Sequence, residues 1–482
     1  LIKIQPIFFT IGFFLTSLGS MMLLPAVVDY AYGDFNWEAF TISASVTIFI
    51  GLLLTFANRP SEKIVLSVRE TFLLTATTWM TVSLFAALPF ILSNATNSYT
   101  DSFFETISGL TTTGATVITG LDFQSPGIVL WRALLQWFGG IGIIVMALTV
   151  MPILKIGGMQ LFRSEFSDRS EKVMPRVSQI ANAILFAYVF LTFLCAGLLY
   201  VAGMNFLEAI CHALSTLSTG GFSTSDSSIG YFNSPVIEGI TTCFMLIGAI
   251  TLILFVQMLQ GKPKVIWQDS QARTFLLIVL ASVIAITCYR YSKGTDLLTA
   301  LRESSFNVAS IITTTGFTAG DFSLWGMFPL MVIFITMMIG GCTGSTSGGI
   351  KIMRYQIMFI VAKTQFQRMR RPHGVFVPLY NGTPLPEGIS TSVFTFFALY
   401  ILCLGLLVLG LSLYNYDFTT TLSAAVSALN NIGPGFGPSV GPSGNFASLD
   451  MGAKWMLMIG MMLGRLEYIT FLILLMPSFW RD

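Results

Sequence analysis

Thr111-Thr112-Thr113-Gly114 has three near copies further along the chain: Leu217-Ser218-Thr219-Gly220, Thr313-Thr314-Thr315-Gly316 and Asn430-Asn431-Ile432-Gly433. Each follows a short, semi-apolar helix candidate, around 101–110, 205–216, 298–312 and 418–429, and each lies between two long apolar runs. The spacing predicts a unit of roughly one hundred residues, helix then re-entrant segment then helix, recurring four times from about residue 70. Each copy enters and leaves on the same face, so the copies are related by an axis along the membrane normal, an arrangement suited to a central pore.

The rest of the composition agrees. The 482 residues are 54% hydrophobic and 10% charged, with a mean hydropathy of +0.77, whereas soluble domains carry roughly 25% charge. A soluble enzyme is excluded. Apolar runs near 4–28, 38–57, 70–92, 127–154, 179–202, 234–259, 272–291, 327–360, 389–413 and 452–476 each approach or exceed the roughly 20 residues that a membrane-crossing helix needs. Barrel strands would alternate, but Leu191 to Ala202 and Ile401 to Leu413 are apolar on nearly every face. The run Ile7 to Val28 is too long for a signal-peptide core and is read as the first span. The expected fold is therefore an all-α polytopic membrane protein with ten transmembrane helices. A two-helix hairpin (1–68) precedes four pseudo-symmetric repeats at 69–177, 178–270, 271–388 and 389–482, each an M1 helix, a pore helix and an M2 helix around a central ion pore. The third carries a broken M2 helix and a cytosolic loop.

Net charge is only +2, but its placement is uneven. Arg59, Lys63 and Arg69 mark one basic connection, and Lys155, Arg163, Arg169, Lys172 and Arg176 mark the next. Lys262, Lys264 and Arg273 follow, then Lys351, Arg354, Lys363, Arg368, Arg370 and Arg371. Basic connections resist translocation and face the cytoplasm, which places both termini there. The alternate connections, 93–125, 203–233, 293–325 and 414–450, are net acidic and face outward. The six cysteines have no CxxC spacing and the two histidines are far apart, so neither a disulfide framework nor a zinc centre is expected.

Non-helical backbone at membrane depth is tolerated only where protein or a wet cavity surrounds it. Four such turns therefore want to meet. In a ring they would present backbone carbonyls and threonine hydroxyls able to replace the water shell of a monovalent cation. The short helices before them would aim their negative C-terminal ends at the axis. A single TTTG string could be an ordinary polar loop; four at matched positions argue otherwise. The acidic outer face would concentrate cations.

The run 327–360 would be about 50 Å long as one helix, well past a roughly 30 Å hydrocarbon core. Its interruption is expected at Gly340, Gly341, Gly344, Ser345, Thr346, Ser347, Gly348 and Gly349. The stretch lacks the G-K-[ST] of a phosphate loop; close helix packing through small residues and an intramembrane loop are the two readings left. Arg465 lies near the middle of the last span, where a cation must face water or a partner, and Glu467 is the central acidic residue nearby. Glu105 either tethers the turn or is structural, His212 reads as a packing residue, and Arg132 and Lys454 read as snorkelling. Arg368 to His373 could dock a regulator or simply obey the charge rule.

SGLTTTGAT at 108–116, STGGFST at 218–224, TTTGFT at 313–318, LNNIGPGFG at 429–437, GGCTGSTSGG at 340–349 and GRLE at 464–467 resemble the Trk/Ktr/HKT superfamily of potassium transporters, most closely its bacterial TrkH type, over essentially the whole chain. The resemblance implies one quarter of a potassium filter per repeat: Thr112, Thr113, Gly114; Ser218, Thr219, Gly220; Thr314, Thr315, Gly316; and Asn431, Ile432, Gly433. It implies that the loop 340–349 and Arg465 obstruct the path below the filter until it opens. It also implies a homodimer in the bacterial inner membrane bound to a cytosolic nucleotide-binding ring, TrkA. Potassium is then the bound and transported ion, with no organic cofactor, no catalytic residues and no nucleic-acid partner. Ile432 and Pro434 depart from the threonine pattern, which argues against a high potassium-over-sodium ratio. The rivals are a potassium symporter coupled to protons or sodium, and a membrane scaffold or receptor whose repeats merely dimerise.

Overall fold

The computed structural model describes residues 3–60, 66–149 and 177–481. The basic residues Lys63, Lys155, Arg163, Arg169, Lys172 and Arg176 lie outside the described residues, as does the end of the fourth expected span. Among the described residues, six helices are long and apolar enough to cross a membrane: Gln5–Tyr32, Trp37–Ala57, Val68–Leu92, Ala181–Val201, Ser270–Ser292 and Ile389–Ser412. Pro126–Thr149 runs to the edge of the described residues.

The first two helices form the N-terminal hairpin, and glycines let their backbones approach. A Cβ at Gly12 would lie 2.7 Å from the Gly51 carbonyl, and one at Gly51 would lie 2.6 Å from the Thr16 nitrogen, the small-residue packing expected of helices in lipid. Gly33, at φ 77°, ends the first helix in the left-handed conformation.

Two expected spans are not straight. Pro235–Ala249 and Leu252–Leu259 meet at 101°, and Met451–Arg465 and Ile469–Leu475 meet at 111°, so 234–259 and 452–476 are bent pairs rather than single helices. Backbone bonding accounts for the first bend: the Gly248 and Ala249 carbonyls accept from Thr346 and Cys342 of another segment instead of from the next turn of their own helix. At the second, Glu467 and Tyr468 take positive φ values of 63° and 51°. The run 327–360 is interrupted as the sequence requires, between Met327–Met337 and Ile352–Arg370. One small departure from all-α is a hairpin pairing Leu379–Tyr380 with Thr383–Pro384, turned by Asn381 and Gly382 at φ 50° and 83°, the Asn-Gly signature of a tight hairpin.

Four short helices, Tyr99–Leu110, Phe206–Leu217, Leu297–Ile312 and Phe418–Asn430, lead into the four turns. Their starts are set by side-chain caps. Ser98 accepts from the Asp101 N–H, Asn205 from Glu208, Asp296 from Leu298 and Thr299, and Asp417 from Thr420, each satisfying donors that a helix start leaves open. From Ser102 to Leu110 every residue of the first is buried, so these helices form the centre of the molecule and the long apolar helices surround them.

Candidate functional site

All four short helices end in the same way. The N–H groups of Thr112, Thr219, Thr314 and Asn431 return to carbonyls of Gly109, Thr216, Ile311 and Ala428, and the next N–H groups, of Thr113, Gly220, Thr315 and Ile432, return to Ser108, Ser215, Ser310 and Ser427 at 2.8–3.0 Å. This paired closure is the Schellman pattern, which requires a left-handed residue after the helix. Thr112, Thr219, Thr314 and Asn431 occupy that position at φ 52°, 53°, 59° and 55°. Asparagine tolerates it better than β-branched threonine does, so the fourth turn departs in side chain but not in backbone.

Two residues later comes a second positive φ: Gly114 at 85°, Gly221 at 81°, Gly316 at 83° and Gly433 at 105°. Here the structure moves the second copy by one residue. Its matched triplet is Thr219, Gly220, Gly221 rather than Ser218, Thr219, Gly220, because the string STGG offers two glycines and only the backbone distinguishes them. Ser218 instead corresponds to Thr111, the residue that closes each helix.

The four turns meet in cyclic order. A Cβ on Gly114 would run into the Gly220 carbonyl, one on Gly221 into that of Thr315, one on Gly316 into that of Ile432, and one on Gly433, at 2.7 Å, into that of Thr113. Each glycine is thus required twice, by its φ and by its neighbour. All four line one cavity of about 260 Å³, together with Thr116, Ser223, Asp226, Thr318 and Asn445. Four helix C-terminal ends, with their partial negative charge, converge beneath it.

Side chains brace this ring from outside. Arg132 is 1% exposed and does not snorkel: its Nε donates to Glu105 at 2.8 Å and its Nη1 to the Ser223 carbonyl at 2.7 Å, with the guanidinium over the Phe222 ring. Glu105 also accepts from the Val117 N–H at 2.9 Å and from the Thr116 hydroxyl, so the tether reading of Glu105 fits the geometry. Lys454 is likewise buried, donating to Asp101 at 2.7 Å and to the Ala447 carbonyl. Both were misread because a charge near a span end looks able to reach water; the partners that hold them lie on distant segments. His212 is a packing residue held between the Glu208 carbonyl and Ser223. Gln136 escaped the sequence reading altogether: its Nε2 donates to the Gly220 carbonyl at 2.5 Å and its Oε1 accepts from the Phe222 N–H at 3.0 Å.

Directly against the ring lies the segment 338–351. The Gly348 N–H donates to the Thr314 hydroxyl at 2.6 Å. The Thr346 hydroxyl lies 3.0 Å from both the Leu217 and the Gly248 carbonyls. Thr343 is held by Gln271 and Thr251, and Ile339 bridges Ile350 to close the loop at its base. Within it, Ser345 and Ser347 bond to each other, and Gly341 donates to Ser347. Gly344 and Gly349 take φ 76° and 66°, while Cβ atoms on Gly340 and Gly341 would strike the carbonyls of Gly348 and Ala249. Close packing through small residues and a loop that interrupts the apolar run are therefore the same feature.

Arg465 donates to the Thr346 carbonyl at 3.0 Å and to the Gly139 carbonyl at 3.3 Å. Among the described residues it forms no ion pair; Glu467 is paired with Arg354 instead. A guanidinium 2% exposed and held by neutral carbonyls is buried at a cost that a neighbouring carboxylate would have reduced.

The TrkH family, described as cation transport protein, matches residues 37–481. The Trk system potassium uptake protein TrkI of Halomonas elongata is 41% identical over 468 residues, 96% of this chain and 94% of that protein. The Trk system potassium uptake protein TrkH of Salmonella typhimurium is 39% identical over 478 residues, 98% of each chain. The crystal structure of the potassium transporter TrkH from Vibrio parahaemolyticus superposes with a TM-score of 0.91 at 36% identity and covers 100% of both chains. Since the match runs nearly end to end in sequence and fully in fold, the chain belongs to the TrkH family of cation transport proteins, which are membrane transporters and not enzymes.

Proposed function

We propose that this protein takes up potassium across a bacterial inner membrane through the ring of four turns, acting as a channel-like selectivity filter built from one chain. In this reading ten transmembrane helices form the hairpin 1–68 and four repeats at 69–177, 178–270, 271–388 and 389–482, with both termini in the cytoplasm. Potassium enters at the cavity above the ring, exchanges water for carbonyl and threonine oxygens of Thr112–Gly114, Thr219–Gly221, Thr314–Gly316 and Asn431–Gly433, and is stopped below by the loop 340–349 and Arg465. Opening requires a partner that binds the open form better than the closed one, and the family resemblance of the sequence motifs implies a TrkA-type nucleotide-binding ring acting on a homodimer as that partner.

The observation that carries this reading is the cyclic contact of the four turn glycines with their neighbours' carbonyls, which a scaffold would not need. A coupled symporter is less well supported, because Glu467 is held by Arg354 and is not a free proton or sodium site. The test is cation flux into liposomes containing the purified protein. Gly316→Ser should alter discrimination against sodium, and Arg465→Ala should raise basal flux. Unchanged permeation in the first would remove the filter assignment, and unchanged basal flux in the second the barrier role.

A further inference from the structure

The four long helices that follow the turns share a register that no string comparison exposes. Gly139, Gly248 and Gly464 pack their Cα atoms beneath the carbonyls of Leu110, Leu217 and Leu429, the last helical residues or nearly so before three of the turns. Three residues before each glycine stand Gln136, Met245 and Met461, and Met337 stands three before Gly340; all four are fully buried. Three methionines and one glutamine at one buried position is a break in symmetry that needs a cause, since a buried amide must find partners.

The partners lie in the second turn. Gln136 spans Gly220 and Phe222, donating to the carbonyl of one and accepting from the N–H of the other, with Gly221 at φ 81° between them. This is also the only one of the four turns with glycine at the middle position, where the others have Thr113, Thr315 and Ile432. Those β-branched residues are stiff; glycine is the most permissive. Space explains the exchange: a Cβ on Gly220 would sit 2.5 Å from Gln136 Oε1 and 2.8 Å from its Cγ. The glutamine thus occupies the volume a side chain would fill and supplies, by two hydrogen bonds, the restraint that side chain would have given.

We propose that Gln136 is a positioning residue for ion selection, clamping the flexible Gly220-Gly221 backbone so that the Gly220 carbonyl matches its three counterparts around the ring. The proposal rests on reading the ring as an ion filter. A carbonyl released from the clamp can follow a smaller ion inward, so loss of Gln136 favours sodium relative to potassium.

The experiment measures the potassium-to-sodium permeability ratio in proteoliposomes for Gln136→Met, Gln136→Glu, the double variant Gln136→Met/Gly220→Thr, and Gly316→Ser as a control. Thermal unfolding in detergent is recorded for each. Gln136→Met should lower the ratio about threefold or more, comparable to the loss of one hydrogen bond. The double variant, which restores the methionine and threonine pattern of the third turn, should recover the ratio. Gln136→Glu keeps the volume and the acceptor for Phe222 but loses the donor to Gly220, so it should shift the ratio the same way, and it stands in for Gln136→Met should that variant fail to fold. An unchanged ratio in the glutamine variants while Gly316→Ser still shifts it overturns the clamp alone. An unchanged ratio in Gly316→Ser overturns the filter reading on which the clamp stands.

Discussion

The ring of turns and the floor beneath it draw on the same four stretches of chain, each a short helix, its turn and the helix that follows, yet they treat symmetry in opposite ways. In the ring, four helix ends close with matching hydrogen bonds and place four glycines against four carbonyls. On the floor, the residue after the packing glycine is Gly140, Ala249, Gly341 and Arg465: three small residues and one cation. One stretch alone supplies the loop 338–351, and that loop donates to the bent helix at Gly248 and Ala249 and to Thr314 of the third turn, and accepts from Arg465. A dehydrated spherical ion is best met by equivalent oxygens on all sides, whereas a barrier that moves needs a single element with two states. Under the proposed function, the contrast teaches that the four stretches are alike where an ion would be held and unlike where a barrier would move.

Five substitutions test that contrast. The largest stability effect is expected from Arg132→Met, which strands buried Glu105 without its cation; losing one partner of a buried pair costs about 3–5 kcal/mol, and thermal unfolding should fall accordingly. Should the melting point hold, the bracing of the ring does not depend on this pair. Next, Gly221→Ala should cut potassium flux at least about tenfold, from the strain at positive φ together with the collision with Thr315. Gly220→Ala, at a residue without positive φ and with a Cβ that meets the Gln136 side chain rather than backbone, should cut it less. The reverse order would restore the other register of the second turn.

On the floor, Thr346→Val deletes the hydroxyl shared with the Leu217 and Gly248 carbonyls. With about 1 kcal/mol per hydrogen bond, basal flux should rise roughly two- to tenfold with selectivity unchanged; a changed ion preference instead would mean that floor and ring are one functional unit. The smallest effect is expected from Asp417→Ala, which removes the cap of the fourth short helix at about 1 kcal/mol and should leave the permeability ratio alone. Burial would raise the Asp417 carboxyl, but hydrogen bonds from Thr420 and neighbouring N–H groups outweigh it and hold it below the ordinary carboxylate range. The cap therefore contributes fully at neutral pH and fades only as pH falls through that lowered value. A melting point equally sensitive to mild acid in wild type and Asp417→Ala is the expected readout, and a difference confined to mild acid would contradict it.

How far the residues themselves speak is clearest at the second turn and at Arg132. The string STGG announces a turn but not which glycine bends it, because both can, and only the contact between Gly221 and Thr315 chooses. Arg132 looks like an interfacial anchor until its partner Glu105 and the Ser223 carbonyl, from separate segments, are seen around it. The bends at Ile250–Thr251 and at Leu466–Tyr468 were hidden for a related reason: apolar residues continue through both, and hydropathy records what lipid accepts, not where a backbone carbonyl finds its donor.

Length, apolar runs, caps and the four glycine turns are local properties, and they determined by themselves that this is a helical membrane protein with four short helices that each end in a turn. A helix cap and the apolar character of a run depend on neighbours within a few residues, so the chain order carries them. Which turn touches which, where Gln136 reaches, and that Arg465 rests on Thr346 and Gly139 rather than on Glu467 were decided only in three dimensions. Those contacts join residues more than eighty positions apart, and a hydrogen bond depends on distance and direction in space, which no spacing along the chain encodes.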